Sequence, residues 1–154
     1  MLFVYPATNS DKLRLMKVIG IEVKGSKVIF FALESINKKN VAIIPDTLTS
    51  LNLKDHRDCT EVRMFKDMIH NFFKSISPDA IAIIAKKSKG RFQASPISFK
   101  IEGLMQCYEA ADVSFIDPIT ISAFKKKHNY EVIFEHVYQE DAANLAYYLI
   151  HRNE

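Results

Sequence analysis

Apolar residues cluster along this chain in two kinds of pattern, unbroken runs and helically spaced faces. Val18-Ile19-Gly20-Ile21-Glu22-Val23 and Val28-Ile29-Phe30-Phe31-Ala32-Leu33 are near-continuous runs separated by Lys24-Gly25-Ser26. Such runs, rich in β-branched residues and bounded by turn formers, predict strands over 17–23 and 27–33. Gly25 allows positive φ in the link, which makes the pair a hairpin. A short third strand over 41–45 follows the polar turn Asn37-Lys38-Lys39-Asn40, whereas 46–60 is polar and without period.

Val62, Phe65, Met68, Ile69, Phe72 and Phe73 recur at i, i+3, i+4 spacing and predict a helix over 61–76, ended by Ser77-Pro78-Asp79. Residues 80–85 (Ala-Ile-Ala-Ile-Ile-Ala) form a continuous apolar run of the buried parallel-strand type. Ile101, Leu104, Met105 and Tyr108 mark a helix over 97–111, and 113–116 reads as a last short strand. Pro118 suits the first turn of a helix running to about residue 126. Ala142, Leu145, Ala146, Leu149 and Ile150 mark a terminal helix over 139–152. Residues 1–15 lack such patterning and read as an N-terminal extension to one domain over 16–154. A tight hairpin must be antiparallel, and strands joined through helices are right-handed parallel crossovers. The expected fold is therefore α/β: a mixed five-stranded sheet, its first three strands antiparallel, with helices on both faces.

Composition narrows the class. With 154 residues, 48% hydrophobic and 25% charged, the chain is a globular domain that buries a real core. No apolar run reaches the roughly 18 residues of a membrane helix, and residues 1–6 lack the basic segment of a signal peptide. Cys59 and Cys107 have no partner at zinc spacing, and none of the five histidines has ligand-like spacing, so a reducing cytoplasm is the expected location. A net charge of +3 permits nucleic-acid binding without requiring it.

Glu22 changes the picture. A carboxylate part-way along an otherwise apolar strand is costly to bury and needs a metal, a cationic partner or a water-filled cleft. Glu140 and Asp141 open the terminal helix, where acidic residues also suit the helix dipole. Glu102 lies one residue off the apolar face of its helix, beside Gly103, which would allow close approach of backbone or ligand. Lys86, Lys87, Lys89 and Arg91, with Lys24 and Lys100, are the densest basic group. They follow a central strand at its carboxyl end, where open α/β sheets place ligands, and they suit phosphate; Phe92 adds an aromatic face for base stacking.

This element order, with an acidic residue in the first strand, resembles the ribonuclease H-like fold, and within it the branch of the Holliday-junction resolvase RuvC and YqgF. Gly20-Ile21-Glu22 is similar to the branch's first-strand Gly-Ile-Asp motif, with Glu for Asp. Glu140-Asp141-Ala142-Ala143 is similar to the acidic residues that precede its Ala-rich last helix. The Lys-Gly-x-Phe segment at 89–92 and Ser-Phe-Lys-Ile-Glu-Gly-Leu at 98–104 resemble a further bacterial family of this fold. The resemblance implies metal-assisted phosphodiester cleavage, with Glu22 and Asp141 as ligands of Mg²⁺ or Mn²⁺ and Glu102 or Glu140 completing the set. DNA or RNA would be the substrate. In one respect the sequence departs from the branch, which carries a second acidic residue at the end of the fourth strand. Here that strand runs into Lys86-Lys87. The alternative expectation is thus a catalytically silent member of the fold, with Glu22 paired to Lys86 or Lys87, that binds nucleic acid or a protein partner. The 11 Phe and 6 Tyr also offer surface for a homodimer. Phosphoryl transfer on a small molecule is disfavoured, since the chain lacks a Gly-rich phosphate loop.

Overall fold

The computed structural model of the protein describes residues 15–86 and 95–153. Strands β1 (Leu15–Lys24) and β2 (Lys27–Ile36) form the long hairpin, paired antiparallel from Leu15–Ile36 to Lys24–Lys27, with Gly25 at φ 58° in the turn. β3 (Asn40–Ile43) pairs antiparallel with the far end of β2. Helix α1 (Cys59–Ile76) then leads into β5 (Ala80–Ile84), after the short β4 (Ser50–Asn52) described below. β5 is parallel to β1, with Ile21 level with Ile83. Helix α2 (Pro96–Gln106) returns the chain to β6 (Val113–Ile116), parallel to β5. Helices α3 (Pro118–His128) and α4 (Glu140–His151), the latter preceded by a 3-10 turn over Val137–Gln139, complete the chain.

The sheet has six strands, not five, in the order β3-β2-β1-β5-β6, with β4 also pairing with β2. β4 falls in the stretch whose polar residues predict no element. It shares one edge of β2 with β3: β3 takes residues 33–36 and β4 residues 27–29. The gap between them is closed by single backbone bonds, Phe30 N–H to the Thr49 carbonyl at 2.9 Å and Ile44 N–H to the Ala32 carbonyl at 3.1 Å. The helix expected over 97–111 stops at Gln106. None of the described helices is long and apolar enough to cross a membrane.

Alternation along the strands divides the core in two. Ile19, Ile21 and Val23 of β1 point to the face covered by α1 and α2, where they meet Phe65, Ile69, Phe73, Ile101 and Met105. Val18 of β1, Ile29, Phe31 and Leu33 of β2, and Ala82 and Ile84 of β5 point to the other face, against Ile121 of α3 and Ala142, Ala146 and Leu149 of α4. Asp79 pins the parallel register: its backbone N–H donates to the Lys17 carbonyl at 2.7 Å and its carboxylate accepts from the Lys17 N–H at 2.9 Å.

Under α3 and α4 an aromatic group includes Phe124, Tyr130 and Tyr147, with the two tyrosine rings 4.1 Å apart. The Tyr130 hydroxyl is buried without a hydrogen-bond partner, and burial, with Tyr147 beside it, pushes its pKa up to about 12. Tyr130→Phe removes an unsatisfied polar group, so stability at pH 7 is expected to hold or rise by up to about 1 kcal/mol. An unfolded tyrosine ionises near pH 10. The stability that neutral Tyr130 preserves is thus complete below pH 10 and drains as pH rises towards 12. Thermal melts of the variant should therefore decline less across that window. A clear fall in Tm at neutral pH would mean that the hydroxyl has a structural partner.

Candidate functional site

Glu22 and Asp141 meet because β1 and α4 touch backbone to backbone. Gly20 faces α4, and a Cβ built on it would collide with the Ala142 carbonyl and lie 2.7 Å from the Ala146 amide nitrogen. Only glycine on the strand and alanines on the helix permit this approach. Two residues further along the same face of β1, Glu22 comes within hydrogen-bonding reach of Asp141 in the first turn of α4. The two carboxyls flank a cavity of about 290 Å³ at the carboxyl ends of β1 and β5, also lined by Lys86, Ser122, Lys125 and Asn144.

Glu22 is only 5% exposed. Burial holds its carboxyl above the usual range, reinforced by the hydrogen bond and the charge of Asp141; Lys24 and Lys86 pull the other way. Asp141 thus shares a hydrogen bond with the raised carboxyl of Glu22. The Oε1 of Glu22 is nevertheless buried without a hydrogen-bond partner, since the Lys24 ammonium approaches only to 3.7 Å and is itself well exposed. Asn144, one turn after Asp141, leaves its buried Oδ1 unpartnered too.

Glu102 belongs to the opposite face of the sheet. It lies within a buried stripe of α2 formed by Ser98, Ile101, Glu102 and Met105 and is 6% exposed. Burial raises its pKa, Lys86 opposes the rise, and Oε2 has no hydrogen-bond partner. Nothing approaches the Cβ position of neighbouring Gly103, so the close contact expected there is absent. Glu140 is exposed and does not line the cavity. The Lys100 ammonium lies away from it, 2.8 Å from the His56 carbonyl. Lys87, Lys89, Arg91 and Phe92 lie outside the described residues. Among the described residues, no three Asp, Glu, His or Cys side chains gather as a metal-ligand set.

Lys125, Ser122 and Asn144 line the cavity without having been singled out from the sequence. Asn144 stands three residues after Asp141, a spacing that puts both on one helix face. Lys125 belongs to a basic run that reads as a helix end favouring cations.

Residues 16–149 match the model of a family described as "Protein of unknown function (DUF3010)". The chain belongs to this family. That match covers all of the sheet but Leu15 and every residue of the cavity, so the Glu22–Asp141 pocket lies inside the DUF3010 domain. No curated protein matches the chain significantly. Among solved structures, this DUF3010 member is similar to Thermus thermophilus RuvC, with a TM-score of 0.66 and 10% identity over 90% of this chain and 96% of that one. It is also similar to Thermus thermophilus RuvC in complex with a Holliday junction substrate, with a TM-score of 0.60, 10% identity, and 90% and 95% coverage. The shared property is the ribonuclease H-like fold; at such identity, the likeness carries no residue's role.

Proposed function

We propose that the DUF3010 chain acts on nucleic-acid phosphodiesters as a RuvC-like nuclease, with one Mg²⁺ or Mn²⁺ held by Glu22 and Asp141. The observation that supports this most is the meeting of a buried and an exposed carboxyl on the wall of a cavity that also presents Lys86 and Lys125. The residues suit one hard cation, because the unpartnered Oε1 of Glu22 and Oδ1 of Asn144 add oxygen donors beside Asp141. They do not suit the larger carboxylate set of a two-ion site, since no third acidic residue joins them among the described residues. A bound divalent ion supplies Lewis-acid stabilisation of the charge that develops on a phosphoryl group.

The chain's own groups do the rest. Lys86 and Lys125 orient a phosphate by charge, and the low polarity around Glu22 strengthens every such interaction. Lys87, Lys89 and Arg91 follow Lys86 in sequence and extend the positive charge along the same segment. The RuvC structure bound to a Holliday junction favours branched DNA as the first substrate to try.

The action of Lys86 on both Glu22 and Glu102 favours a second reading, a nucleic-acid-binding module without hydrolysis. Calorimetric titration with MgCl₂ and MnCl₂, combined with cleavage assays on four-way junction, duplex, single-stranded DNA and RNA, separates the two. The nuclease reading expects saturable binding near millimolar concentration and metal-dependent cleavage that is lost in Asp141→Asn. Salt-dependent nucleic-acid binding with neither ion uptake nor cleavage selects the binding module instead.

A further inference from the structure

We infer that the outer edge of β3 is a docking site for an extended apolar segment, and that its occupant is Leu2-Phe3-Val4-Tyr5 of this same chain. The inference is independent of the nuclease reading.

The edge supplies the hydrogen bonds. Among the described residues, β3 is the outermost strand on its side of the sheet. Its register sets Asn40 opposite Ile36 and Ala42 opposite Glu34, and the Ile44 N–H donates to the Ala32 carbonyl. Hydrogen-bonded pairs alternate along an antiparallel ladder. Residues 40, 42 and 44 therefore bond inwards to β2, and the N–H and C=O groups of Val41 and Ile43 face outwards. Such an edge is a template for an extended chain that reaches it.

A groove beside that edge supplies the apolar contact. It has a volume of about 410 Å³, and its walls include Leu33, Val41, Ile43, Val132, Ile133 and Tyr147. Ile133 is 79% exposed there. Covering these side chains with an apolar chain removes their surface from water, which is favourable.

The segment fits in composition and in reach. Leu2-Phe3-Val4-Tyr5 is rich in aromatic and β-branched residues, which suit a pleated strand, and Pro6 has no N–H with which to continue a ladder. Residues 1–14 lie outside the described residues, and the family match begins only at residue 16. Leu15 pairs with Ile36, and Ile36 pairs with Asn40. A strand beyond β3 thus stands three strand spacings from Leu15, about 14 Å. Residues 6–14 span up to about 30 Å when extended. A hollow of about 290 Å³ marks the route, with Met16, next to Leu15, and Lys38, next to Lys39 of the groove, among its walls. A chain arriving this way sets Tyr5 near Asn40 and Leu2 near Ile43. It runs antiparallel to β3 as a seventh strand, with Leu2 and Val4 on one face and Phe3 and Tyr5 on the other.

Two measurements on the full chain test the docking. The first is amide hydrogen exchange at Val41 and Ile43 in wild type and in Phe3→Asp/Val4→Asp, which puts a charge on each face of the segment and alters no described residue. Both amides are expected to be protected in wild type and to exchange on the order of tenfold or more faster in the variant, with β1 and β5 unchanged. Equal rates in the two proteins overturn the inference. The second is disulfide cross-linking of Ile133→Cys with Val4→Cys or with Phe3→Cys, one for each face of the segment. The background is Cys59→Ser/Cys107→Ser, because both native cysteines are exposed. Oxidation in dilute solution is expected to join the two positions within one chain. A bond between two chains gives the edge to the segment of a second copy and overturns docking in the same chain. Failure of both pairs to cross-link overturns the inference as well.

Discussion

Gly20→Ala is expected to cost about 3 kcal/mol, the upper part of the range for overpacking a filled core, and to lower Tm by roughly 10 °C for a domain of this size. The added methyl would strike backbone on α4, the Ala142 carbonyl and the Ala146 nitrogen at 2.7 Å, with the Ala146 Cα at 3.2 Å. Backbone atoms inside a helix have no rotamer with which to give way. Relief therefore requires the whole of α4 to lift from β1, opening the contact with Val18 and Ala82 and carrying Asp141 away from Glu22. Gly103→Ala is the matching control. Nothing lies within 4 Å of its Cβ position in α2, so the substitution should gain about 0.5–1 kcal/mol from helix propensity alone. Thermal melts of the two variants should move in opposite directions. A wild-type Tm for Gly20→Ala would mean that α4 does not pack on β1 at this distance, and the pairing of Glu22 with Asp141 would lose its structural basis.

The sequence-level reading succeeds where one element's pattern decides its own structure. The apolar runs either side of Lys24-Gly25-Ser26 became the hairpin, the unbroken 80–85 run became the buried parallel strand β5, and the Phe-rich face became α1. It fails where pairing is decided elsewhere. Leu51 is the one apolar residue in β4, a strand three residues long that exists because β2 has an edge left free by the short β3. The site divides in the same way. Glu22 is legible as a carboxylate in an apolar run, but its company depends on Gly20, whose lack of a side chain matters only once α4 lies across it. Glu102 carries a signal that a strictly apolar face conceals. Ser98, Ile101, Glu102 and Met105 follow the i, i+3, i+4, i+7 rule, so the carboxylate sits inside the buried stripe with a serine. Ser122 has no local mark, and the basic run around Lys125 marks only a helix end; the packing of α3 beside α4 brings both to the cavity.

Glu22→Gln should stabilise the metal-free protein at neutral pH and abolish its response to Mg²⁺. In the folded chain, burial and Asp141 hold the Glu22 carboxyl above its ordinary value of 4.5, which it regains on unfolding. The folded state consequently binds this proton more tightly. The resulting stability is complete below pH 4.5 and lost as pH rises through the raised folded value, and Glu102 adds a loss of the same sign. Wild-type Tm in chelator should therefore fall from acid towards neutral pH more steeply than that of Glu22→Gln. At pH 7 the variant should be the more stable by about 1–3 kcal/mol, the range for relieving one unsatisfied buried polar group. Adding Mg²⁺ reverses the order. An ion that binds only the folded wild type contributes about 2.7 kcal/mol at a hundredfold excess over Kd, whereas the amide variant lacks the anionic ligand and stays where it was. The opposite outcome is equally informative. A Glu22→Gln protein less stable than wild type in chelator would identify Glu22 as the partner of a buried cation, because removing one member of such a pair costs about 3–5 kcal/mol. Lys24, at 3.7 Å, and Lys86 on the cavity wall would then be its counter-ions, and the carboxylate would serve an ion pair instead of a metal.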